Sequence, residues 1–287
     1  MKIKDLRQDF IASLSTLYEP EEVLSFFYIL SEKFLGLRRV DIAVSLEIEV
    51  EIDKILKFND AIDRLKKQDP IQYIIGETLF YGLLFNVNQH VLIPRPETEE
   101  LVDWIIKDCE KNKNHKLKIL DIGTGSGCIA ISLAKHIPNA EVYAMDISEE
   151  ALRVAASNAK NNDVEIHCIQ SDILMIDALD INFNIIVSNP PYIRELEKKE
   201  MKPNVLQKEP HLALFVSDND PLVFYKKITT LAKKNLMDTG LLYFEINQYL
   251  GVETKNMIKK YGFQSIILRQ DLFANDRMVK ASVLNSS

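Results

Sequence analysis

The chain has 287 residues, 47% of them apolar and 27% charged, with only 9 glycines and 10 prolines. That composition excludes disordered, collagen-like and low-complexity classes and suits one large domain or two unequal ones. Acidic residues number 42 against 35 basic ones, a formal net charge of −7, which argues against gripping a nucleic-acid backbone as the main task.

No apolar run approaches the ~20 residues of a membrane span, and the charged opening MKIKDLRQDF does not read as a secretory leader. Cys109, Cys128 and Cys168 lack CxxC spacing and read as free, buried thiols of a reducing cytoplasm. The histidines form no HxxxH or HExxH pair, so no metal site is expected.

From residue 3 to about 68 apolar residues recur at helical spacing. Leu6, Phe10, Ile11 and Leu14 form one stripe; Val23, Leu24, Phe27, Leu30 and Phe34 a second; Ile52, Ile55, Leu56, Ile62 and Leu65 a third. Pro20 followed by Glu21 and Glu22 suits a helix start. After Asp69-Pro70 the pattern changes to alternation around Gly76 and Gly82, which predicts a hairpin between two domains. The expected boundaries are a helical domain at 1–74, a hairpin at 75–96 and a second domain at 97–287.

Beyond Pro94-Arg95-Pro96 strands and helices alternate. Strands are expected at 117–123, 140–147, 165–172, 183–191, 240–246, 264–272 and 276–284, and helices at 128–137, 149–162, 221–236 and 250–262. Continuous β-rich runs such as IIVS, buried on both faces, predict an α/β fold with a doubly wound parallel sheet.

Two segments carry chemistry. Asp121-Ile-Gly-Thr-Gly-Ser-Gly127 leaves a strand and enters a helix; its glycines permit a tight turn close to a ligand, and the helix N-terminus offers N–H groups. Asp146, at the end of the next strand, is placed to accept hydrogen bonds from both hydroxyls of a ribose. Asn189-Pro-Pro-Tyr192 follows a buried strand. Its prolines remove two backbone donors and leave the Asn189 side-chain oxygen and the Pro190 carbonyl as acceptors for a planar NH2, beside the flat wall of Tyr192. Such contacts orient the lone pair of a poor nucleophile toward an electrophilic methyl.

GTGSG with Asp146 and NPPY resembles the class I, Rossmann-like S-adenosylmethionine-dependent amino-methyltransferases. Asp69-Pro-Ile-Gln-Tyr-Ile-Ile-Gly76, Leu92-Ile-Pro-Arg-Pro-Glu-Thr-Glu99, Glu209-Pro-His-Leu-Ala-Leu214 and Asp276-Arg277 narrow the resemblance to the HemK/PrmC release factor glutamine methyltransferases. Ser171, Ile173, Asn247 and Ala274 depart from that family's pattern, Ile173 standing where an aromatic is frequent and the other three where glycine is expected.

The resemblance implies methyl transfer from S-adenosyl-L-methionine, leaving S-adenosyl-L-homocysteine, to the amide nitrogen (N5) of the glutamine in the GGQ loop of bacterial class I release factors. It implies a cytoplasmic monomer with no membrane or direct nucleic-acid partner, whose helical domain recognises the substrate. Gly123, Thr124, Gly125, Ser126, Gly127 and Asp146 would hold methionine and ribose, Asp172 and Ile173 would lie near the adenine, and Asn189 would also touch the cofactor. Asn189, Pro190, Pro191 and Tyr192 would hold the glutamine, with Asn189, Pro190 and Tyr192 catalytic. Arg95, Glu97 and Thr98 either close over the site or form a capped helix start. An adenine-N6 or guanine-N2 methyltransferase acting on DNA or RNA uses the same kind of loop and stands as the alternative. A cofactor-binding scaffold without turnover leaves Asn189 and Tyr192 without a purpose.

Overall fold

The computed structural model describes residues 1–110, 116–200 and 203–283. The chain opens with helices α1 (Ile3–Leu14), α2 (Pro20–Leu35), α3 (Arg39–Val44), α4 (Ile52–Lys66) and α5 (Ile71–Ile75). These form one compact unit, to which the short helix Pro203–Lys208 also belongs; the other unit is made by the described residues of 77–200 and 209–283.

The helical unit closes around an aromatic cluster. Phe58 meets Phe10, Phe27 and Phe34 with ring centroids 6.2, 5.7 and 5.6 Å apart, in the tilted and edge-on geometries that aromatic pairs prefer. Phe58 sets the inner face of α4, together with Ala61, Ile62 and Leu65. Ile52 and Leu56, expected in that stripe, lie 78% and 61% exposed, because at 3.6 residues per turn they fall on the far side of the helix from Phe58. Asp69 accepts from Arg64 at 3.0 Å and pairs with Lys208 at 2.8 Å, which ties the helix 203–208 to the segment before α5. IQYII, expected as the start of the alternating stretch, is helical: Pro70 caps it, and Gly76 ends it at φ 76°, a left-handed position natural to glycine.

The second unit begins with the hairpin β1 (Glu77–Phe80) and β2 (Leu83–Asn86), followed by α6 (Pro96–Cys109). Then come β3 (Leu117–Ile122), α7 (Cys128–His136), β4 (Ala140–Asp146), α8 (Glu149–Asn161), β5 (His167–Gln170) and β6 (Phe183–Ser188). A short parallel pair follows, β7 (Ile193–Arg194) and β8 (Phe215–Val216); between them in sequence lie a 3-10 turn at Glu195–Glu200, α9 (Pro203–Lys208), the helix that belongs to the first unit, and α10 (His211–Leu214). The chain continues through α11 (Val223–Asn235), β9 (Leu236–Glu245), α12 (Gly251–Lys260), β10 (Gln264–Gln270) and β11 (Asp276–Ser282).

Seven strands make one sheet in the order β10-β11-β9-β6-β3-β4-β5. The five from β9 to β5 are parallel, and β11 runs antiparallel to β9 and β10. Apolar runs follow from burial on both faces. Ile119, Ile185, Val187 and Tyr243 pack toward α6 and α7; Leu120, Ile122, Ile186, Leu242 and Phe244 pack toward α11 and α12.

Two buried amides fasten the hairpin to α8; Asn162, at the end of that helix, donates from Nδ2 to the Leu84 carbonyl at 2.9 Å, and Asn158 does the rest. The Asn86 N–H donates to Asn158 Oδ1 at 2.7 Å, and Asn158 Nδ2 donates to the carbonyls of Asn86 and Ser126 at 3.0 and 2.9 Å. Among the cysteines, Cys109 is buried and Cys168 exposed; the edge position of β5 leaves Cys168 uncovered, which corrects the expectation of buried thiols. Among the described residues no helix is long and apolar enough to cross a membrane.

Candidate active site

Adjacent parallel strands bring the two sequence motifs side by side. Ile122, the last residue of β3, pairs with Ser188, the last of β6, and with Met145 of β4. The Ser188 hydroxyl donates to the Ile122 carbonyl at 2.6 Å. The glycine loop, Asp146 and the Asn-Pro-Pro-Tyr loop therefore leave one carboxyl edge, where open α/β sheets bind ligands.

Gly123, Gly125 and Gly127 take φ of 75°, 54° and 81°. Side chains at Gly123 and Gly125 would meet open space, whereas a Cβ at Gly127 would lie 2.8 Å from Ile131 Cδ1 and 3.0 Å from Ala155 Cβ. The third glycine thus answers to the packing of α7 on α8, and the first two border open space. Asp146 accepts from the Gly125 N–H at 2.9 Å through one oxygen and from the Ser148 N–H at 3.0 Å through the other. Each oxygen of an ionised carboxylate keeps a second lone pair for another donor.

Sequence reasoning does not select Asp121, although its carboxylate organises this loop. Asp121 Oδ2 accepts from the Thr124 hydroxyl at 2.6 Å and the Ala130 N–H at 3.2 Å. Its Oδ1 is buried without a partner, as is the Ser126 hydroxyl. Burial pushes the Asp121 carboxyl up to about 7, with Thr124 and Ala130 pulling the other way. Further along the edge, Asp172 holds the Leu174 N–H at 2.8 Å and Ile173 is half-buried against the core on the α11 side.

At the other motif, Asn189 Nδ2 donates to Thr98 Oγ1 at 3.3 Å, and Thr98 donates to Glu245 Oε2 at 2.6 Å. The Tyr192 hydroxyl donates to Glu245 Oε1 at 3.1 Å. Glu245, the last residue of β9 and 1% exposed, is the second residue that sequence reasoning misses. Its signal is a lone charge closing the apolar run GLLYFE. Burial raises its pKa, while Thr98, Arg277 and Tyr192 oppose the shift and Glu97 adds to it.

Thr98 lies inside α6, which starts at Pro96 with Arg95 in the capping position, and makes no cap. Its hydroxyl serves the interior. Arg95 is held by the buried Glu209 at 2.5 Å, whose second oxygen accepts from the Ile93 N–H at 3.2 Å. Asn247, in place of an expected glycine, donates to the Tyr192 carbonyl and to Glu197 at 2.9 Å each. A pocket of about 150 Å³ opens beside Tyr192, lined by Asn247, Tyr249, Glu197 and Arg277 among others.

Comparison with known proteins agrees with both halves of this arrangement. Residues 5–76 match the PrmC N-terminal domain and residues 103–212 the Methyltransferase small domain. A release factor glutamine methyltransferase of Flavobacterium psychrophilum is 54% identical over 98% of this chain and 99% of its own length. The chain belongs to the release factor glutamine methyltransferase family. Another member, from Bacteroides thetaiotaomicron, is 45% identical over 94% of this chain and 96% of its own.

Solved structures share the fold. A methyltransferase from Pyrococcus furiosus superposes with a TM-score of 0.51 at 17% identity, covering 78% of this chain and 98% of that one. The 16S rRNA N2 G1207 methyltransferase of Thermus thermophilus gives 0.53 at 16%, covering 72% and 50%. These likenesses show a Rossmann-like class I methyltransferase fold, and the helical N-terminal region matches the PrmC N-terminal domain.

Proposed function

We propose that this chain transfers the methyl group of S-adenosyl-L-methionine to the N5 amide nitrogen of the glutamine in the GGQ loop of bacterial release factors. The observation that carries the reading is the register of Ile122 with Ser188, which seats a nucleoside-type loop directly beside an NH2-accepting loop. The names of the relatives support the acceptor.

The residues present fit the cofactor. Gly123 and Gly125 border open space, Asp146 retains lone pairs for ribose hydroxyls, and the unpartnered Asp121 Oδ1 suits the positive charge of a methionine ammonium. Asp172 and Ile173 continue the same edge toward the adenine. The cofactor supplies a methyl made electrophilic by its sulfonium.

Asn189 Oδ1 and the Pro190 carbonyl accept hydrogen bonds from the glutamine NH2. They turn its lone pair toward the methyl and stabilise the positive charge that develops on nitrogen. Pro191 holds the turn and Tyr192 walls the planar amide. Arg95 and Glu97 flank the entry of α6. The helical unit is assigned to substrate recognition, a role supported by its match to the PrmC N-terminal domain.

Radiolabelled cofactor offered with intact release factor, a factor carrying alanine at the GGQ glutamine, duplex DNA and ribosomal RNA tests the reading. Label should enter the intact factor alone. Label in nucleic acid at a comparable rate, or in the alanine-substituted factor, overturns it.

A further inference from the structure

Asn189 has two faces, an oxygen that accepts and an NH2 that donates, and only the first suits an NH2 substrate. Which face points inward depends on its neighbour Thr98. A hydroxyl has one hydrogen. The Thr98 hydrogen is engaged by Glu245 Oε2 at 2.6 Å, so toward Asn189 Thr98 offers only lone pairs and receives Nδ2 at 3.3 Å. Among the described residues nothing donates to Asn189 Oδ1, which is left for a ligand. Glu245 also receives the Tyr192 hydroxyl, so both functional side chains of the loop answer to one group that, as a carboxylate, accepts and does not donate.

We infer that Glu245 is a positioning residue that sets the hydrogen-bond polarity of the acceptor site, acting through Thr98 to hold Asn189 with its oxygen toward the substrate amide. The inference rests on the reading of Asn189 as the acceptor's partner. Without the carboxylate, the Thr98 hydrogen turns to Asn189, the amide flips, and NH2 faces NH2. The arrangement is costly to break because every member is at least half-buried and a wrongly paired buried polar group is penalised.

The test is a cycle of Thr98→Val, Glu245→Gln and the double variant, with Thr98→Ser as the conservative control. kcat and KM are measured for release factor, and S-adenosylhomocysteine affinity is measured by calorimetry. Thr98→Val should lower kcat at least ~10-fold, and Glu245→Gln, whose amide keeps an acceptor oxygen for Thr98 or Tyr192 but not both, by a smaller factor, with KM and S-adenosylhomocysteine affinity within about threefold. The double variant should fall no further than the worse single one. Thr98→Ser, which keeps the hydroxyl, should stay near wild type.

Losses that multiply in the double variant overturn the relay, as does a folded Thr98→Val protein with wild-type kcat. If Glu245→Gln does not fold, the contrast between valine and serine at 98 decides: equal turnover of the two overturns the inference. The wild-type arm alone tests the release factor assignment. The ratios between variants test the relay on whichever acceptor the wild type labels.

Discussion

Two carboxylates lie at or next to the carboxyl ends of parallel strands on the same edge of the sheet and are equally hidden from water, yet they are finished differently. Asp121, one residue before the end of β3, has one oxygen fully engaged by Thr124 and Ala130 and the other without a partner. Glu245, ending β9, has both oxygens engaged, by Thr98 and Tyr192. Buried polar groups are ordinarily paired, and under the proposed function the orphan oxygen of Asp121 is the one that the cofactor's ammonium completes. The saturated one marks where the protein has already completed itself in order to aim its neighbours.

The largest effect expected from this contrast belongs to the group that Glu245 aims. Asn189→Ala should reduce turnover ~10²–10³-fold while leaving S-adenosylhomocysteine affinity nearly unchanged, as single-turnover transfer and calorimetry can show. A variant with near wild-type turnover removes Asn189 from catalysis and leaves Glu245 with nothing to position.

Asp121→Asn should act on the opposite side of the comparison. It should weaken cofactor binding by ~1.5–3 kcal/mol, the usual worth of a hydrogen bond to a charged group, with a smaller change in turnover at saturating cofactor. The same variant has a pH signature. In the unfolded chain this carboxyl ionises near ~4; in the folded protein it does so near about 7. Between those values the folded state holds the extra proton. Ligand-free stability from this group is therefore full below the lower value and is lost as pH rises through about 7. Thermal denaturation from pH 4 to 8 should show a slope that Asp121→Asn flattens. Identical slopes in the two proteins would place the burial cost elsewhere.

The smallest effect concerns the charge that tempers Glu245. Arg277 is held by Asp271 at 3.0 Å, in a turn where Ala274 adopts φ 62°. That conformation costs a side-chain-bearing residue ~1–2 kcal/mol. Ala274→Gly should thus stabilise the protein by ~0.5–1 kcal/mol in urea titration and leave cofactor affinity and turnover unchanged. Destabilisation would mean that the turn relaxes its strain in another way.

Most of the parallel sheet was legible because its central strands are rich in apolar and β-branched residues and the helices between them are periodic. Leu117–Ile122, Ala140–Asp146 and Phe183–Ser188 fall within a residue or a few of their expected limits. The glycine loop and Asn-Pro-Pro-Tyr were legible as local chemistry. The face of α4 was not, because Phe58 wins the core through three aromatic partners on α1 and α2 that no local pattern displays. Glu245 was hidden for a related reason. Its significance lies in Thr98, 147 residues away, and periodicity carries no information over that distance. Asn247 and Ala274 could be flagged as departures from a pattern, but only the fold shows that one grips the Tyr192 carbonyl and the other bears a strained φ.

Asn158 gives the second unit a built-in reporter. The same side-chain amide that carries the Ser126 carbonyl of the glycine loop receives the Asn86 N–H of the hairpin. That hydrogen exchanges with solvent when its bond to Asn158 Oδ1 opens, and release of Asn158 from the Ser126 carbonyl is one motion that opens it. Hydrogen–deuterium exchange at the Asn86 amide should therefore slow when a ligand orders the glycine loop, and an exchange rate that ligand leaves unchanged would uncouple the two.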